Sequence, residues 1–174
     1  MRPKNMAMIL TLRRKPSHEA IQLLRNDHRR VRRLLRRFAN ADGARREKFR
    51  TRLEHELSVH TQLEEEIFYP AYRQAALNGA DRRLYFEAVE DHNAIDLILP
   101  QVNASVDADE LAAKAKVLRR LVRRHIRREE RRLFRRAKDL FGRAERLSLG
   151  RQMQQRRTEL EHPKKGRKKA QRAA

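Results

Sequence analysis

Apolar side chains recur along this chain in three- and four-residue steps, the spacing that covers one face of an α-helix rather than one face of a strand. Ile21, Leu24, His28, Val31, Leu35 and Phe38 form the first stripe and predict a helix over residues 16–38. A second stripe, Leu53, Leu57, His60, Glu64, Ile67 and Ala71, predicts a helix over residues 44–77. Pro70 falls inside it, where a missing N–H should kink the helix or shift its bonding without ending it. Asn78 and Gly79 stop that helix, and Asp81 is the expected N-cap of a third that ends at Leu99, before Pro100. Asp107, with Glu110 three residues on, reads as the capping pair of a fourth helix reaching Phe141. Gly142 breaks it, and a short basic helix over residues 142–160 follows. Links this short make consecutive helices antiparallel neighbours. The expected fold is all-α, an up-down-up-down four-helix bundle over residues 16–141.

Polar residues intrude on these stripes in a repeated order. Asp27-His28 recurs as Asp91-His92, 64 residues later, while His60, Glu64 and Glu65 recur as His125, Glu129 and Glu130, 65 residues later. Phe68 has an expected counterpart in Phe134, one residue out of step. The chain therefore reads as two similar helical hairpins, each with one histidine followed by His-x-x-x-Glu. Residues four apart share a helical face, so His60 with Glu64, and His125 with Glu129, can reach one point in the interior. With His28 and His92, every helix of the bundle directs a ligand-type side chain inward. Imidazole nitrogen with carboxylate oxygen suits iron or manganese, and without a metal such groups would be buried at high cost. The alternative is a set of hydrogen-bonded core histidines with glutamates paired to arginine. His55 lies well around the helix from His60, between Glu54 and Glu56, and is expected on the surface. His18 and His162 fall outside the ligand pattern. Tyr69, Tyr72 and Tyr85 are open between packing and donating a hydrogen bond near the metals.

Composition narrows the classes. At 174 residues the chain fits one domain with tails, and it contains no cysteine, which removes disulfides, zinc fingers and iron–sulfur clusters. Its 44 Lys+Arg against 23 Asp+Glu give a formal charge of +21, so phosphate polymers and acidic partners are favoured. Residues 1–15 carry a short apolar patch, Met6 to Leu12, between basic residues. With no small-residue cleavage site it reads as a disordered basic leader rather than a secretory signal. Residues 161–174 read as a disordered basic tail. No apolar run has the length of a membrane span, and the cytoplasm is the expected location.

The segments NDHRRVRRLL, VHTQLEEEIFYPA, EDHNAIDLIL and HIRREERRLF resemble the hemerythrin family, in its HHE cation-binding branch, over roughly residues 18–140. The resemblance implies a four-helix bundle around a non-haem di-iron centre, with two iron ions per chain joined by an oxo or hydroxo bridge. It implies His28, His60, Glu64, His92, His125 and Glu129 as ligands, the two glutamates bridging. Oxygen-carrying relatives have a further histidine four residues after the one on the third helix, and here that place is Asp96. Asp96 is thus a candidate seventh ligand, the alternative being a surface charge. Loss of that histidine argues against simple oxygen carriage. It points to binding or sensing of a small diatomic ligand, oxygen or nitric oxide, or of peroxide. Two further functions stay open. One is a basic helical protein that binds nucleic acid non-specifically, or another acidic partner, through the tail and the arginine ladder of the fourth helix. The other is a di-iron peroxidase or oxidase.

Overall fold

The computed structural model describes residues 19–162, so the basic leader, His18 and residues 163–174 of the tail lie outside the described residues. Within them every regular element is helical. In chain order they are α1 (Ala20–Ala39), α2 (Gly43–Leu63), a π-helical turn π1 (Glu64–Phe68), α3 (Tyr69–Ala75), α4 (Gly79–Ala104), α5 (Ala108–Arg128), a second π-turn π2 (Glu129–Leu133), α6 (Phe134–Leu140) and α7 (Arg143–Glu161). α1 packs along α2 and α4 along α5, and α1 also lies against α5 and α7. The α1–α2 reversal depends on Gly43, which sits at φ 45°, in the left-handed region that a side chain disfavours.

Local chemistry sets the ends of these elements. The Asn78 side chain accepts the Asp81 N–H and caps α4. Asp81 is therefore not the cap that the sequence suggests. It sits one turn inside the helix, where its carboxylate meets Arg136 at 2.7 Å. α4 also runs past the expected stop and carries Pro100 within it. Proline removes one N–H near the end of that helix, and the residue is exposed, so water can satisfy the freed carbonyl. Asp107 caps α5 by accepting the Glu110 N–H at 2.8 Å, and Gly142 opens α7.

The two π-turns follow from one inserted residue each. In π1 the Tyr69 N–H bonds the Glu64 carbonyl, five residues back, and in π2 the Phe134 N–H bonds the Glu129 carbonyl. Pro70 does not account for this, because π2 has no proline. Each insertion advances the helical phase, so the stripe beyond Glu64 buries Phe68, Tyr69 and Tyr72, leaving the expected Ile67 and Ala71 only half-buried. The same shift corrects the repeat: Tyr69, not Phe68, is the partner of Phe134 at the 65-residue offset.

Two apolar clusters fill the interior. One gathers Leu24, Leu63, Phe68, Tyr72, Phe134, Phe141 and Met153. The other gathers Val31, Leu35, Phe38, Leu57, Ile95, Val122 and Ile126. Each helix of the two hairpins crosses from one cluster to the other, and at the crossing it buries a polar residue: His28, His60, His92, His125. α7 sets Leu149 and Met153 into the first cluster and closes that end.

Candidate metal centre

At the boundary between the clusters the structure brings His28, His60, Glu64, His92, His125 and Glu129 together, all at 3 % exposure or less. The i to i+4 spacing aims His60 Nε2 at Glu64 Oε2 (3.2 Å) and His125 Nε2 at Glu129 Oε2 (3.2 Å). The other two histidines cross over: His28 Nε2 lies 3.1 Å from Glu129 Oε2, and His92 Nε2 lies 3.2 Å from Glu64 Oε2. The rings fall into two pairs. His28–His60 centroids are 4.8 Å apart and His92–His125 4.7 Å, against 6.2 and 6.3 Å from His125 to His28 and His60. Each glutamate thus contacts one histidine of each pair.

These contacts are close but not aligned as hydrogen bonds. Nε2 of His28, His60 and His125, with Glu64 Oε1 and Glu129 Oε2, is buried and lacks a hydrogen-bond partner. Leaving that many polar atoms unpaired costs about 1–3 kcal/mol each. Donor atoms that point at a common space rather than at each other fit a cation. His28, His60, His125 and Glu129 offer atoms within 4.8 Å of one another, as do Glu64, His92 and His125. The donor set of imidazole nitrogens and carboxylate oxygens matches a transition-metal site.

A second layer of carboxylates holds the rings from behind. Glu130 Oε1 sits 3.0 Å from His28 Nδ1 and is itself clasped by both terminal nitrogens of Arg32. Glu65 Oε1 sits 2.9 Å from His92 Nδ1. The arrangement is crossed, since Glu65 belongs to the first hairpin and His92 to the second, while Glu130 and His28 reverse the order. Asp27 lies 3.7 Å from His60 Nδ1, beyond hydrogen-bond length, and is engaged by Arg30 and by Arg157 of α7. The repeat breaks here: Asp91 pairs with Arg124 and Arg128, and His125 Nδ1 has no hydrogen-bond partner.

The electrostatics follow from this layering. Burial alone would lower the basicity of His28 and His92. The carboxylates outweigh it, raising His28 to about 9 beside Glu129 and Glu130, and His92 to about 10 beside Glu64 and Glu65. Burial would likewise raise Glu130, but His28 and Arg32 hold it down at about 2. The interior is built to hold positive charge.

Tyr69 resolves an open expectation. π1 turns it into the centre, where its hydroxyl donates to Glu129 Oε1 at 2.9 Å and lies 3.3 Å from His92 Nε2. Burial and the two glutamates push its pKa well above the ordinary phenol value, so it remains a donor. Its counterpart Phe134 stacks on His28 with centroids 5.5 Å apart, as Tyr69 lies over His92 at 5.3 Å. One half of the centre thus has a hydroxyl and the other a bare ring. Tyr72 is buried away from this group and Tyr85 packs edge-on to Tyr69. Asp96 is exposed and joins neither group of donors, and His55 and His162 are also exposed. Sequence reasoning did not assign Glu65 and Glu130 their orienting place, or Asp27 its position behind His60, although all three sit inside the repeated words. The three consecutive glutamates divide the work: Glu64 faces the centre, Glu65 holds His92, and Glu66 faces out to Arg156 at 2.6 Å.

A helical bundle that closes two apolar clusters around a histidine–carboxylate group is, by class, a metal-binding bundle. The model of the hemerythrin family, described as the hemerythrin HHE cation binding domain, matches residues 19–137. The chain belongs to the hemerythrin HHE cation-binding family. No curated protein and no solved structure gives a significant match. Among the described residues no helix is long and apolar enough to cross a membrane.

Proposed function

We propose that this chain is a di-iron binding protein that binds or senses oxygen, nitric oxide or peroxide, with the hairpins arranged as an up-down-up-down bundle. The observation that carries the reading is the pairing of the rings, with each of two glutamates touching one histidine of each pair. His28 and His60 would hold one ion, His92 and His125 the other, and Glu64 and Glu129 would lie between them. The pair would supply redox chemistry and open positions for a small ligand. Glu130 and Glu65 keep the Nδ1 protons of His28 and His92 facing outward, which leaves Nε2 free to ligate. Among the described residues Tyr69 offers the one hydroxyl that points into the centre, placed to donate to a bound ligand on the His92 side. The apolar clusters above and below exclude bulk water from the group.

Protein supplied with ferrous iron and purified in air is expected to carry about two irons per chain by metal analysis, with near-ultraviolet charge-transfer absorption. His60→Ala and Glu129→Ala are expected to lose most of the iron, and His55→Ala none. A wild-type chain that holds no iron, or a single zinc, would sink the reading.

A further inference from the structure

The arginine ladder has no part in the metal centre. α5 carries Lys116, Arg119, Arg120, Arg123 and Arg127 on its outward side, over about 16 Å at the helical rise of about 1.5 Å per residue. At about 100° per residue the five share one solvent-facing stripe of the helix, about 100° wide. Arg119 and Arg123 also line a groove of about 320 Å³ whose other wall is Arg32 and Arg36 of α1. Beyond that groove Arg33 and Arg37 continue the positive surface to the cleft between α1 and α2, where Arg52 faces them.

Arginines beside the centre are engaged: Arg32 by Glu130, Arg124 by Asp91, Arg30 by Asp27 and Glu56. Among the described residues, none of the five cations on α5, nor Arg33, Arg36 or Arg37, has an acidic partner within ion-pair distance. A row of like charges on a folded helix raises the free energy of the isolated protein, so its natural complement is a regular row of negative charge.

We infer that this belt is a docking surface for double-stranded DNA, read through its phosphates. Three features select that partner. The belt interleaves no exposed aromatic ring, and Phe49 is half-buried beneath Arg37, so bases of a single strand find nothing to stack on. Val117 is its one exposed large apolar residue, too little to enter a lipid surface. α5 is packed between α1 and α4, so its exposed cationic stripe lies along a phosphate backbone rather than inside a groove. The stripe is purely cationic and offers no acceptor for the 2′-hydroxyl that marks duplex RNA. Binding through five to eight phosphates carries no base contacts and is sequence-independent.

The test is fluorescence anisotropy of the iron-loaded full chain with two unrelated 24-base-pair DNA duplexes. Both should bind with equal affinity, and the log–log salt slope should be about −4.5 to −7. Arg119→Glu/Arg123→Glu should weaken binding at least tenfold. The charge-matched Arg82→Glu/Arg83→Glu, on α4, should weaken it less than threefold, with iron content and helicity intact in both. The basic C-terminal residues are common to both variants and cancel in the comparison. If Arg119→Glu/Arg123→Glu does not fold, Arg119→Gln/Arg123→Gln replaces it with the same ordering expected. Equal losses in the two variants would mean net charge alone, and would overturn the inference. So would duplex RNA, anionic vesicles or polyglutamate binding as tightly as DNA with the same sensitivity to Arg119 and Arg123.

Discussion

Glu130 shows how much a single side chain carries. It holds the His28 ring, and Arg32 holds it in turn, so Glu130→Gln weakens one contact and strands the other. Metal affinity should fall about 10–100-fold, read by competition with a chelator. Tyr69→Phe keeps the ring but removes the donor to Glu129, and should cost the metal-free protein about 1–3 kcal/mol in a urea melt. The raised basicities of His28 and His92 also predict a pH profile. A histidine whose folded pKa exceeds its unfolded value of 6.5 stabilises fully below that pH and ceases to do so as pH rises through the folded value. Glu130, held near 2, acts in the opposite sense and loses its contribution as pH falls below 4.5. Metal-free protein should therefore melt highest between about pH 4.5 and 6.5 and lose stability toward 9–10. Iron should be retained best in the alkaline part of that range, because protons compete for the same nitrogens. Melting curves across pH 4–10, with and without chelator, check both trends. At this scale the six inner residues stand out in the sequence as polar intrusions on apolar stripes. Glu65, Glu130 and Asp27 sit beside them in the repeat, but a sequence does not say which hairpin's carboxylate faces which ring.

The elements were legible wherever helical periodicity ran unbroken. They were misread where it skipped. A π-turn leaves no residue-type signature, and its only trace in the sequence is that Phe68, Tyr69 and Tyr72 make a better apolar face than Ile67 and Ala71. Asp81 and Pro100 misled for a related reason: each is a strong local signal overruled by its neighbours, Asn78 for the cap and four further helical residues beyond the proline. α7 lies beyond the residues that match the family model, yet it closes the first core and reaches the back of the centre through Arg157 and Asp27. Met153 is fully buried, so Met153→Ala should cost about 2–5 kcal/mol in urea denaturation. Arg157→Gln should lower metal affinity less than Asp27→Asn, since it acts one residue further from His60. The reverse order by chelator competition would mean that α7 touches the centre by another route.

For the whole molecule, charge is divided between inside and outside. Carboxylates are gathered at the centre and its rim while unpaired arginines face solvent along α1 and α5, so in the metal-free protein protonated His28 and His92 take over the balancing of the inner glutamates. Chelation should lower the melting temperature reversibly, with about 2.7 kcal/mol at stake when free metal stands at 100 times its Kd. Differential scanning of the chelated and reloaded protein measures it. The net charge was plain in the composition, but its ordering into a belt required the helices to be in place. Neither hairpin contains what its own first histidine leans on: Glu130 serves His28, and Glu65 serves His92. One hairpin alone could complete such a site only by meeting a second copy of itself. The chain is in that sense a dimer joined by a linker, whose two halves hold each other at an effective concentration that dilution cannot lower.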